Sequence, residues 1–159
     1  MMEPTQFKDS KGQIWNVNIN IGHYLALKSK LGIDISESFQ SADNWMTRLA
    51  SHDSIETLLG MIDILLESER KSRDLTLDQM YEGMNGDVIA DATNALIEAI
   101  VLFSPAHKQK ALRLIVDSVT VGMERAMVMV EKEETEIREK MIPMIDAELH
   151  KLSKSNTAE

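Results

Sequence analysis

The feature that most constrains this chain is a long stretch with nothing to stop a helix. Ser104-Pro105 spells a start signal, a serine cap followed by proline at the first helical position. After it, no proline occurs until Pro143, and Gly122 is the one glycine in between. Apolar residues recur at helical intervals throughout, so the pattern predicts a helix over 105–142. At 1.5 Å per residue such a helix reaches roughly 57 Å, beyond the diameter of a small domain. The expected organisation is therefore a compact body over 1–104, followed by a long amphipathic helix over 105–152. Pro143 lacks an amide hydrogen and disfavours helix at Ile142, so a kink or break is expected there. Residues 153–159, SKSNTAE, read as a frayed tail.

Along the predicted helix one column repeats every seven residues: Val116, Met123, Val130, Ile137 and Met144. Its neighbour column, Thr120, Met127, Glu134, Met141 and Glu148, is half polar. The spacing resembles a coiled-coil seam that Glu134 and Glu148 spoil. Glu134–Arg138 and Glu136–Lys140 stand in the favourable i,i+4 order on the outer side. Five of the eleven methionines fall between 123 and 144. Methionine is flexible and polarizable and suits surfaces that accept varied partners. Two readings stay open: these side chains fill the protein's own core, or they bind a partner. The candidate partner-binding residues are Met123, Met127, Val130, Ile137, Met141 and Met144.

The body reads differently. In residues 13–21, QIWNVNINI, Trp15, Val17, Ile19 and Ile21 alternate with asparagines, the period of a half-buried strand. With the turn cluster Asp9-Ser10-Lys11-Gly12, strands over 5–9 and 13–21 make an N-terminal β-hairpin. Trp15 belongs in its core. Helix patterns then dominate: 22–31 ending at Gly32, a short segment over 43–50, and a helix opened by a capping-box pair, Asp53 and Glu56. That helix carries Ile55, Leu58, Leu59, Ile62, Leu65 and Leu66. Thr76 and Gln79 repeat the capping-box spacing. Residues 87–103 are apolar almost all round, save a stripe of Asp91, Asn94 and Glu98, as in the buried centre of a bundle. The fold class expected is mainly α with a small N-terminal β-hairpin.

Composition narrows the chemistry. With no cysteine, thiol catalysis, disulfides and cysteine-ligated metals are excluded. The net charge of −9 is concentrated in residues 34–104, where four basic residues face fourteen acidic ones. Such a field repels nucleic acid and anionic membranes, and no basic stripe with aromatics argues otherwise. No run of apolar residues is long enough for a membrane span, and no secretory leader pattern opens the chain. No phosphate-cradling glycine loop or catalytic signature occurs. His23, His52, His107 and His150 fall in different elements. Glu133 and Glu136 share a helix face that suits a metal only weakly, and Asp91 and Glu98, seven residues apart on the polar stripe of 87–103, read as exposed charges rather than an acid–base pair. The expectation is no catalysis, no cofactor and no metal.

Two stretches resemble a known group. FKDSKGQIWNVNINIGHYLALKSKLGIDI is similar to the opening of tail assembly chaperones of long-tailed bacteriophages. In these an aromatic-x-Asp-x-x-Gly-x-x-Trp hairpin leads to a helix ending in Leu-Gly-Val/Ile-Asp. The matching positions are Phe7, Asp9, Gly12, Trp15, Leu31, Gly32, Ile33 and Asp34. LTLDQMYEGMNGDVIADATNALIEAIVLFSP resembles a second stretch of the group through Asp78, Tyr81, Gly86, Asp87, Ala92, Thr93, Ala95, Leu96, Phe103 and Pro105. Ser104 departs from it, standing where a second aromatic is common, and the methionine-rich helix has no counterpart.

The resemblance implies a non-enzymatic assembly factor that coats the helical tape-measure protein before the tail tube polymerises around it. It implies the tape-measure protein as partner, the tail tube protein as a further one, the bacterial host cytoplasm as location, and absence from the mature virion. The rival reading is a homo-oligomeric helical module that self-pairs through the C-terminal helix. Weak self-association is also compatible with the chaperone.

Overall fold

The computed structural model describes residues 2–36, 44–49 and 54–155. The elements are β1 (Gln6–Lys8), β2 (Ile14–Asn16), α1 (Ile21–Leu31), α2 (Trp45–Leu49), α3 (Ser54–Ser72), α4 (Leu77–Tyr81), α5 (Gly86–Phe103) and α6 (Ala106–Ser155). The chain is mainly helical with an N-terminal antiparallel hairpin, as its periodicities predict. It divides into two compact units, Met1–Lys110 and Ala111–Glu159.

The hairpin is shorter than the alternation suggests. β1 and β2 pair with Phe7 opposite Trp15 and Lys8 opposite Ile14. The Val17 amide still donates to the Thr5 carbonyl at 2.8 Å, and there pairing ends. The strand expected to run to Ile21 is overridden by Asn20. Its side-chain oxygen accepts the His23 amide at 2.9 Å, the geometry of a helix N-cap. Ile21 thus opens α1 and lies 65% exposed, while Trp15 and Val17 are fully buried.

Asp9 organises the hairpin. One carboxylate oxygen accepts the Lys11 and Gln13 amides at 3.0 and 2.8 Å, which closes the turn. The other accepts the Trp15 indole N–H at 2.9 Å inside the core. Gly12 takes φ +85°, a left-handed conformation that glycine adopts without strain. The turn is fastened to the helices on two sides. The Ser10 amide donates to the Gly83 carbonyl at 3.0 Å, and Lys11 pairs with Glu82 at 2.7 Å. Arg73, at the end of α3, lies over the Trp15 ring at 4.4 Å and donates to the Ile14 carbonyl at 2.6 Å and to Glu69.

The core gathers Phe7, Trp15 and Val17 with Leu27, with Leu58, Met61, Ile62, Leu65 and Leu66 of α3, with Met80, and with one side of α5. α1 packs on α3, and α5 packs on β1 and α3. Of the α3 residues expected inside, Ile55 is exposed and Leu59 is half-buried. Asp53, its expected cap, lies outside the described residues. The Thr76–Gln79 capping box forms as its spacing requires, with both reciprocal bonds present. α5 differs from expectation. It buries Val88, Ala92, Ala95, Leu96, Ala99, Ile100 and Val101, yet Asp87, Ala90, Asp91, Asn94 and Leu102 are exposed. It is therefore a one-sided surface helix: the stripe of Asp91 and Asn94 widens through Asp87, Ala90 and Leu102, while Ala92, Ala95 and Ala99 are buried.

Ser104 also acts otherwise than predicted. Its hydroxyl and its amide both bond back to the Ile100 carbonyl, so it terminates α5. The Pro105 carbonyl accepts the Lys108 and Gln109 amides at the start of α6. The helical run of α6 passes through Pro143 and continues to Ser155, past the expected end at 152. Proline forfeits a single amide bond, and the turns on either side keep theirs.

The end of α1 carries a second carboxylate anchor. Gly32 adopts φ +65° as the C-cap, and its amide donates to the Leu27 carbonyl. Asp34 then accepts Lys28 Nζ at 2.6 Å, the Ser36 hydroxyl at 2.6 Å and the Ser36 amide at 3.0 Å. The Tyr24 hydroxyl approaches it at 3.3 Å. Burial opposes ionisation of Asp34, but the bonds from Lys28 and Ser36 and the Lys28 charge outweigh it, holding the carboxyl down at about 2.

Two predictions follow from these anchors. Asp9→Ala strands the Trp15 indole N–H in the core and should cost about 2–4 kcal/mol in chemical denaturation; an unchanged midpoint would make the indole bond incidental. Asp34 stabilises the fold only while ionised. Its contribution, on the order of 1 kcal/mol after solvent screening, should be complete above about pH 4 and vanish as the pH falls toward 2. Wild type and Asp34→Asn should accordingly differ at neutral pH and converge in acid; a gap independent of pH would assign the loss to packing.

Candidate partner-docking face of the long helix

α6 is 50 residues long, about 75 Å at the standard rise. Its helical pattern comes from straight-chain residues and the absence of breakers, with Thr135 Oγ1 bonding back to the Glu131 carbonyl and Arg138 pairing with Glu134 at 3.5 Å. Of the six candidate partner-binding residues, four have described side chains. Val130 is 62%, Ile137 56%, Met141 51% and Met144 71% exposed. At about 100° per residue these four fall within a narrow strip on one side of the helix. Met123 and Met127 lie on the helical backbone of α6, and their side chains are outside the described residues.

The strip is not alone. Val128, Met129, Ile142 and Ile145 are each at least half exposed, and none was among the candidates. The signal for two of them was present as a second seven-residue column, Leu114, Val121, Val128 and Ile142, interrupted by Thr135. It runs on roughly the opposite side from the first. A search for one seam passes over it, because its own neighbour column is charged: Asp117, Glu124, Glu131 and Arg138. Every described residue from 128 to 145 is exposed. Monomeric soluble proteins rarely expose a contiguous apolar patch of that extent.

The remaining candidates for chemistry stay apart. Among the described residues no group of three or more His, Asp or Glu gathers as for a metal ion. Glu133 and Glu136 are both exposed on α6, and Asp91 is exposed on α5. His52 lies outside the described residues, as does the side chain of His150. A shallow groove between α1 and α3 is lined by His23, Ala26, Lys30, Ile64, Glu67, Ser68 and Lys71. Within it Lys71 meets Glu67 at 2.6 Å, and His23 Nδ1 lies 2.9 Å from the Asn18 carbonyl. No nucleophile–base pair arises there. No described helix is long and apolar enough to cross a membrane.

The residues that carry the family resemblance have structural tasks in the body. Asp9 and Trp15 form the hairpin anchor, Gly12 and Gly32 the left-handed turns, and Asp34 the lock after α1. Phe103 stacks on Tyr24, ring centres 6.0 Å apart. No protein-family model matches this chain, and no curated protein or solved structure is significantly similar to it.

Proposed function

We propose that this protein is a non-enzymatic assembly chaperone of a long-tailed phage, binding the tape-measure protein along α6 and keeping it soluble before the tail tube forms. The observation that carries the reading is the exposed strip of Val130, Ile137, Met141 and Met144 on an uninterrupted helix. Helix-on-helix docking uses such anchors at i, i+4 and i+7 intervals. Methionine adapts its side chain to varied partner surfaces, which suits a client met at many places along its length. The resemblance of the hairpin and α5 sequences to tail assembly chaperones supports the same reading. So does the net charge of −9, which would keep a complex with an apolar client in solution.

Co-expression with the tape-measure protein of a long-tailed phage tests the proposal. Wild type should hold that client in the soluble fraction and co-purify with it. The triple variant Val130→Ser, Ile137→Ser, Met141→Ser should lose the client, while its melting curve stays close to wild type because all three side chains are exposed. A triple variant that still solubilises the client would move the binding surface off this strip. A wild-type protein that forms a stable dimer and ignores the client would favour the self-pairing module.

A further inference from the structure

The apolar strip of α6 is bordered by carboxylates on both sides. At about 100° per residue, Glu133 and Glu136 follow one border of the Val130–Ile137–Met144 line, and Glu131 and Glu134 follow the other. All four are exposed. The opposing cations on these borders are Arg138 and Lys140, and Arg138 already faces Glu134 at 3.5 Å. The strip therefore presents an acidic rim around an apolar centre, on a chain whose net charge is −9.

The rim discriminates between occupants. A second copy laid parallel on the same line sets Glu133 and Glu134 against their own equivalents and brings two strongly acidic chains together. An amphipathic helix with acidic borders meets the same repulsion. A helix whose apolar stripe is bordered by lysine or arginine gains the apolar contacts and places each cation opposite a carboxylate. Resting on the reading of α6 as a client-docking face, we propose that its occupant is a cationic amphipathic helix, and that Glu131, Glu133, Glu134 and Glu136 select it. Exposed rim charges act mainly on association rate and partner choice, and only modestly on final affinity. The apolar strip holds the client; the rim decides which helix arrives.

The test titrates the full-length protein against two synthetic helical peptides by fluorescence anisotropy. Both carry leucines at a and d positions over about three heptads; one has lysine at the bordering positions and the other glutamate. The lysine peptide should bind roughly tenfold more tightly at low salt, and the gap should close as salt rises. The variant Glu131→Gln, Glu133→Gln, Glu134→Gln, Glu136→Gln should lose the gap while its circular dichroism stays helical, since glutamine is a comparable helix former. Equal binding of both peptides, abolished by Val130→Ser, Ile137→Ser, Met141→Ser, would overturn the charge selection and leave client docking standing. Failure of both peptides, with the protein sedimenting as a dimer, would overturn both and give the strip to a second copy.

Discussion

The body depends on one buried carboxylate. Asp9 sits at the mouth of a hairpin with three-residue strands, too short to be stable alone. By accepting two turn amides and the Trp15 indole, it fixes the turn and the largest core side chain with one group. A buried charge is tolerable only when hydrogen-bonded, and here the bonds do the structural joining. The surrounding sequence fits this point. A β-carbon at Gly83 would lie 3.0 Å from the Asp9 carboxylate, close enough that the carboxylate would have to give by a few tenths of an ångström. Arg73 roofs the tryptophan ring and ties β2 to α3.

The same device recurs after α1, where Asp34 gathers Lys28, Ser36 and Tyr24 at the point where the chain leaves a left-handed glycine. Small cores gain specificity from such polar joints, because apolar packing alone accepts many arrangements. Under the proposed reading, both joints use residues that carry the resemblance to tail assembly chaperones.

What was legible in the sequence follows from the range of each signal. The capping box at Thr76, the glycine stop at Gly32 and the proline-free run from Ala106 to Ile142 are local, and they form as written, whereas the helical run passes through Pro143, where a kink or break is expected. The end of β2 was misread because Asn20 serves two patterns. It is a polar position in an alternating strand and also a helix cap, and the hydrogen bond to His23 decides between them. Ser104 was misread for the same reason, since its hydroxyl can cap forward or bond backward, and it bonds to Ile100. The exposed side of α5 follows the polar stripe of Asp91 and Asn94, widened by Asp87, Ala90 and Leu102, which a count of apolar residues underrates. On α6 the candidate strip was readable from its seven-residue period, whereas the second column hid behind charged neighbours.

The long helix poses a physical problem that its own sequence does not solve. Helix stability in proteins comes chiefly from burying an apolar face, with propensity a minor term. From 128 to 145 the described residues bury none, and isolated pairs such as Glu134–Arg138 supply a few tenths of a kcal/mol each. A partner helix would supply the missing burial. It would cover one apolar column, and the column on the opposite side leaves room for a second helix. Under the proposed reading, a helix of about 75 Å shields a comparable length of client in one binding event. Many modest contacts then replace one tight site, and apolar columns bordered by charge are the surface that such binding calls for.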